Sequence, residues 1–166
     1  MTGPLRAPQI EGEFRYRHPI EIRFVDTDAL GHVNNATYFS YFEAARAGYH
    51  ARVTGSAFGS GPDSHRTTFV IAEAHIVYRS PARFGEPLTC ACRVSWAGRS
   101  SFGLEYLVEV AASPLGTARV VADGATVQVF YDLTSERVVR IPAELRERME
   151  AFEGRPLPSR GLSAGA

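Results

Sequence analysis

The sequence predicts an α+β domain in which one antiparallel sheet packs around a single long helix. Two patterns predict it. Residues 69–131 keep a period-two alternation of apolar and polar side chains, interrupted only by short turns. Residues 35–54 instead space their apolar side chains as one helical face. Short turns between the late strands leave no room for parallel crossovers, so those strands pair antiparallel. The helix must bury its apolar faces on the sheet.

Residues 19–26 (PIEIRFVD) alternate around Ile20, Ile22 and Phe24 and predict the first strand. Residues 27–34 are turn-like, with Gly31 and Asn34. The helix follows from Asn35, with Asn34 or Asn35 as its cap and Gly55 as its stop. Tyr38, Tyr41, Phe42, Ala45 and Tyr49 form its bulky face, and Ala44, Ala47, Gly48 and Ala51 keep another face small. Residues 55–67 read as a flexible loop that can shape a pocket beside the helix. In the next strand, residues 69–78, Val70, Ala72, Ala74, Ile76 and Tyr78 are expected on one face. Leu88 to Trp96 and Phe102 to Val110 alternate likewise, and residues 117–131 make a long strand with Gly124 as a candidate bulge. Pro142 opens a short helix carrying Leu145, Met149 and Phe152. The order is strand, long helix, four strands, short helix. Residues 1–12 and 154–166 are expected as flexible tails around one domain, 13–153.

The 166 residues suit one domain with an ordinary core: 45% are hydrophobic and 22% charged. Eighteen basic residues, all arginine, balance eighteen acidic ones. With no bulk positive charge, nucleic acid is not the expected partner. No apolar run approaches the length that spans a bilayer, and residues 1–19 lack a leader pattern, so a cytoplasmic protein with no membrane partner is expected. Cys90 and Cys92 are expected as reduced strand residues, with neither zinc nor redox framework.

Chemistry is concentrated in residues 23–35 (RFVDTDALGHVNN), where Asp26, Asp28, His32, Asn34 and Asn35 stand between a strand end and a helix start. The first helical turn offers unpaired N–H groups and a positive dipole end, a setting for an oxyanion. A carboxylate just upstream can attack an acyl carbon or activate water. Asp26 is read as structural, pairing with Arg23 or a turn amide, and Asp28 either caps its turn or acts in catalysis. His32 is a supporting group or a satisfied loop histidine. Glu43 is the rival carboxylate, or an i,i+3 partner of Arg46. Tyr38, Tyr41 and Phe42 suit core or pocket wall. Arg79 and Arg83 are read as surface arginines by default, or as guanidinium partners of a phosphate-bearing ligand. A metal held by Asp26, Asp28 and His32 is not expected, because that ligand set is nonspecific.

The run Asp26, Asp28, Gly31, His32, Val33, Asn34, Asn35, Tyr38, Tyr41, Glu43, Ala45, Arg46 resembles the signature of the 4-hydroxybenzoyl-CoA thioesterase family, within the hot-dog superfamily. Residues 78–86 (YRSPARFGE) resemble the family's turn between its second and third strands. The resemblance covers about residues 19–152. It implies a five-stranded antiparallel sheet wrapped around a central helix, in a homodimer or homotetramer with sites at the dimer interface. It implies hydrolysis of an acyl-CoA, or of an acyl group on acyl carrier protein, with no cofactor beyond the coenzyme A of the substrate. Asp28 falls on the family's catalytic carboxylate and Asn35 on its backbone oxyanion donor; His32, Asn34, Tyr38, Glu43, Arg79 and Arg83 are the further candidates. The alternative is a non-catalytic hot-dog module that binds an acyl thioester or serves as a scaffold. A dehydratase-like enzyme, with His32 or His75 over the substrate, is the weaker third.

Overall fold

The computed structural model describes residues 9–56 and 67–159. Strand β1 (Tyr16–Ile20) precedes a single 3-10 turn, Phe24–Asp26, and helix α1 (Thr37–Thr54). Strands β2 (Thr67–Tyr78), β3 (Leu88–Ala97), β4 (Ser101–Val110) and β5 (Arg119–Asp132) follow. A two-residue strand β6 (Arg137–Val138) and helix α2 (Ala143–Glu153) complete the order. The sheet runs β1-β3-β4-β5-β2, antiparallel throughout, with β6 folded back on the end of β5. This is the expected hot-dog architecture, a sheet around one long helix.

The bulky helix face behaves as its spacing predicts. Tyr38, Tyr41, Phe42, Ala45 and Tyr49 are all buried. Phe42 lies flat on Tyr106 of β4, centroids 4.2 Å apart and 8° between planes. It fits only because β5 carries Gly124 beneath it. A Cβ there would stand 2.9 Å from Phe42 Cε2 and 2.3 Å from the His75 carbonyl oxygen. Gly124 keeps regular register with Ile76 and Tyr106, so it is a close-approach site and not the expected bulge. The register shifts fall at Ile71/Glu73, Val94/Trp96 and Val108/Glu109.

Three other boundaries differ from expectation. The first strand ends at Ile20. Asp26 accepts hydrogen bonds from the Arg23 backbone N–H (2.8 Å) and guanidinium (2.6 Å), curling residues 24–26 and leaving Phe24 79% exposed. Helix α1 starts at Thr37 without a side-chain cap; Asn34 Oδ1 instead accepts from the Ala36 N–H, a turn earlier. In β2 the bulge reverses the parity. Phe69 packs on Phe102 and Phe130, Ile76 packs on the core further on, and Val70 and Ile71 are exposed on this edge strand.

The chain ends are tied down further than composition suggests. Ile10 packs beside Phe14, Ala91 and Leu107, while Arg93 donates to the carbonyls of Glu11 and Glu13. Beyond α2, whose Met149 is buried as expected, Leu157 is also buried, and the Pro158 carbonyl accepts from the Ala97 N–H at 3.0 Å. The expected tails therefore do not begin at 12 or 154; residues 1–8 and 160–166 lie outside the described residues, as does most of the 55–67 loop. Cys90 and Cys92 are buried free thiols, and burial pushes both thiols up.

Candidate active site

The segment between the 3-10 turn and α1 is a tight hairpin lashed to its neighbours. Thr27 bridges Val33, and Asp28 and His32 are joined by an Asp28 N–H to His32 carbonyl bond of 2.8 Å. The Gly31 N–H closes a β-turn on the Asp28 carbonyl at 3.0 Å, and Gly31 takes φ 71, a left-handed conformation that favours glycine. Val33 donates to the Ala82 carbonyl and Asn34 to the Asp26 carbonyl, each at 2.8 Å.

This geometry divides the work of the two aspartates. Asp26 is buried; besides Arg23 it accepts from Tyr41 Oη at 3.2 Å. The Arg23 guanidinium, ahead of the opposing effect of burial, holds its carboxyl below the usual carboxylate range. Its structural reading is correct. Because the folded-state pKa is depressed, the stabilisation from Asp26 is full above the unfolded value of about 3.9 and fades as pH falls through the lower folded value. Asp26→Asn is expected to lower the urea midpoint at pH 7. The gap to wild type should close as the pH is taken below about 4. A gap that stays constant from pH 7 to 3 would remove the carboxylate from this role.

The two oxygens of Asp28 are engaged differently. Oδ1 accepts from the Leu30 N–H at 2.8 Å and from the His32 N–H at 3.4 Å, the bonding of an Asx turn. Oδ2 has no hydrogen bond among the described residues. Asp28 lines an open cleft of about 330 Å³ with His32, Val33, Asn35, Tyr38, Tyr78, Arg79, Ser80 and Pro81. The Asn35 N–H has no acceptor among the described residues. Asp28 and Asn35 thus line one cleft, each with a polar group that has no hydrogen bond among the described residues. Tyr38 is buried behind it, its phenol pushed up to about 12 by burial.

The other expected site residues divide. His32 lines the cleft, and no hydrogen bond of its ring is found among the described residues. The Asn34 side chain is committed to the helix start, holding the Ala36 N–H. Arg79 lines the cleft but clasps buried Asp123 through Nε (2.7 Å) and Nη2 (3.1 Å), so it braces the wall instead of standing on the surface. The Arg83 side chain is exposed and does not line the cleft, while its N–H donates to Glu86. Glu43 faces a separate groove with Arg46, Ala47, Phe69 and Ile71, two helical turns beyond Asn35. Arg46 is not its ion-pair partner; it reaches Tyr106 Oη at 3.4 Å. Among the described residues, no three His, Cys, Asp or Glu side chains converge as metal ligands. Tyr78, absent from the expected site, lines the cleft and donates to the Asn35 carbonyl at 2.8 Å.

Residues 22–149 match the model of the thioesterase-like superfamily. The chain belongs to that superfamily. It is 30% identical over 131 residues to the long-chain acyl-CoA thioesterase FadM of Escherichia coli strain K12, covering 79% of this chain and 94% of that protein. A thioesterase of Thermus thermophilus, solved in complex with coenzyme A and zinc, is 36% identical with a TM-score of 0.70, covering 87% of this chain and 98% of that one. The probable thioesterase YbaW of E. coli is 28% identical with a TM-score of 0.66, covering 82% and 98%. The thioesterase reading of the motif is correct at this level, while the narrower 4-hydroxybenzoyl-CoA branch is not singled out.

Proposed function

We propose that this thioesterase hydrolyses an acyl-CoA to a free carboxylic acid and coenzyme A, with Asp28 and the Asn35 N–H as its chemical pair. The observation that carries the reading is their shared cleft. The carboxylate keeps one oxygen for its turn and one for chemistry, and the Asn35 N–H at the helix start is a donor left open. As general base, Asp28 takes a proton from water while the water oxygen adds to the thioester carbon. The carbonyl oxygen becomes an oxyanion beside the Asn35 N–H and the positive end of α1. Collapse breaks the carbon–sulfur bond, and the leaving thiolate takes up the proton. As nucleophile, Asp28 would first displace the coenzyme A thiolate from the acyl carbon, forming a mixed anhydride that water then opens to the free acid and the regenerated carboxylate. Either route balances with water as the sole co-reactant and needs no bound cofactor. His32, on the same wall, is the proposed supporting group.

The named activity of FadM makes a long acyl chain the first to try, with acyl carrier protein as the other candidate thiol carrier. We place the enzyme in the cytoplasm; none of the described helices is long and apolar enough to cross a membrane. A homodimer is the proposed assembly, since β2 leaves an exposed edge with Val70 and Ile71 outward, a poor surface to leave in water.

Thiol release from acetyl-, hexanoyl-, palmitoyl-, benzoyl- and 4-hydroxybenzoyl-CoA tests the proposal. Turnover is expected, greatest with palmitoyl-CoA. Binding of palmitoyl-CoA with no release from any member, nor from palmitoyl acyl carrier protein, would replace the enzyme by an acyl-thioester-binding module.

A further inference from the structure

We propose that Tyr78 is a positioning residue for the oxyanion donor, an inference that rests on the acyl-thioester hydrolase reading above. The Asn35 N–H belongs to the peptide joining residues 34 and 35, and its direction is set by the two peptides on either side and by its own carbonyl. Each of those groups is held. The preceding peptide is fixed by the Asn34 N–H on the Asp26 carbonyl at 2.8 Å, and the donor's own peptide by the Thr37 N–H on the Asn34 carbonyl at 3.0 Å. The following peptide is held at both ends. Its N–H, on Ala36, donates to Asn34 Oδ1 at 2.9 Å, and its carbonyl, on Asn35, accepts from Tyr78 Oη at 2.8 Å.

Tyr78 is the single long-range member of this set. The other bonds of the set lie within residues 26–37, and the segment's remaining long-range backbone tie, the Val33 N–H on the Ala82 carbonyl at 2.8 Å, sits two peptides before the donor's own. Tyr78 ties this segment to the end of β2, forty-three residues away. That anchor is itself braced. The Tyr78 ring meets Tyr38 edge-on at 5.4 Å, the Arg79 N–H donates to the Val121 carbonyl at 2.8 Å, and the Arg79 guanidinium grips Asp123. A helix start is otherwise prone to fray, because its first N–H groups have no intrahelical partners. An oxyanion donor stabilises a transition state only to the extent that it is aimed beforehand. The Tyr78 hydroxyl therefore acts on rate through Asn35, without touching the reacting atoms.

Tyr78→Phe deletes that hydroxyl and keeps the ring and its contact with Tyr38. Losing a whole oxyanion donor costs a hundredfold or more, so loosening one should lower kcat about tenfold. KM should stay within about twofold and Tm nearly unchanged, because the substrate's ground state does not use the donor's aim. A trifluoromethyl-ketone analogue of palmitoyl-CoA, which binds as a tetrahedral oxyanion, should lose affinity by the same factor, while coenzyme A itself binds as to wild type. A Tyr78→Phe enzyme with wild-type kcat, alongside a separate Asp28→Asn enzyme that is dead, would overturn the positioning role and leave the hydrolase reading intact. So would a loss shared by KM and Tm, which marks a merely structural bond. A wild type that cleaves no acyl thioester would overturn the hydrolase reading, and this proposal with it.

Discussion

Asp28→Asn is expected to cut thiol release from the best acyl-CoA by at least about a thousandfold, within the range a lost general base produces and below the loss of a nucleophile. The substitution separates the two oxygens of Asp28. Its amide oxygen can still accept from the Leu30 N–H, so the Asx turn and the hairpin from Thr27 to Val33 persist. The position of Oδ2 becomes an NH2 group, which neither takes a proton from water nor attacks a carbonyl carbon. Activity should vanish while Tm stays within a few degrees of wild type. If hydrolysis survives, the role passes first to His32, which shares the cleft, and only then to Glu43, which faces another groove. Where Asp28 proves essential, a single turnover in oxygen-18 water that leaves label in the Asp28 carboxyl marks the mixed anhydride. Because water can also open the anhydride at the acyl carbon, label in the released acid alone fits both routes, and hydroxylamine trapping of the acyl-enzyme then separates them.

Much of this site is legible in residues 26–35 because its bonds are local. The pairing of Asp26 with Arg23 spans three residues, and the Asp28 turn spans four. Residue type and spacing suffice for such contacts. Tyr78 escaped because its partner is a backbone carbonyl forty-three residues away, and a carbonyl carries no residue identity for a sequence pattern to reveal. Its signal is its place at the head of the YRSPARFGE stretch, beside Arg79 and Arg83, whose charge makes them the more conspicuous candidates there. The fold shows the same division. Alternation located β3 and β4 well, since their buried faces are continuous. It misjudged β2 because Val70 and Ile71 are both apolar, and no alternation pattern shows where a bulge exchanges inward for outward. At Gly124 the residue was informative but the cause was not. A strand glycine marks either a bulge or a close approach, and the ring of Phe42 decides for the second.

Phe42→Ala is expected to cost about 3–5 kcal/mol, as truncation of a buried phenylalanine typically does. Domains of this size have total stabilities of about 5–15 kcal/mol, so roughly a fifth or more would be lost. The site argues for the upper part of the range. Phe42 is 1% exposed, stacked on Tyr106 and seated over Gly124, and its neighbours are poorly placed to fill the space. Tyr106 is held by its hydroxyl to Thr126 Oγ1 at 2.9 Å, and Gly124 lies in the ladder between β4 and β2 with no side chain to contribute. Tm should fall by roughly 10 °C, given about 2–4 °C per kcal/mol in a chain of this length. Phe42→Leu should recover part of the loss, because it keeps much of the buried volume. Phe42 does not line the Asp28 cleft, so kcat measured well below the new Tm should stay close to wild type. Asp28→Asn predicts the opposite pair of outcomes, activity lost and stability kept. If Phe42→Ala instead lowered kcat at temperatures where the protein is fully folded, the start of α1 would depend on packing two turns deeper in the helix. The donor at Asn35 would then be aimed by the core as well as by the hydrogen bonds around it.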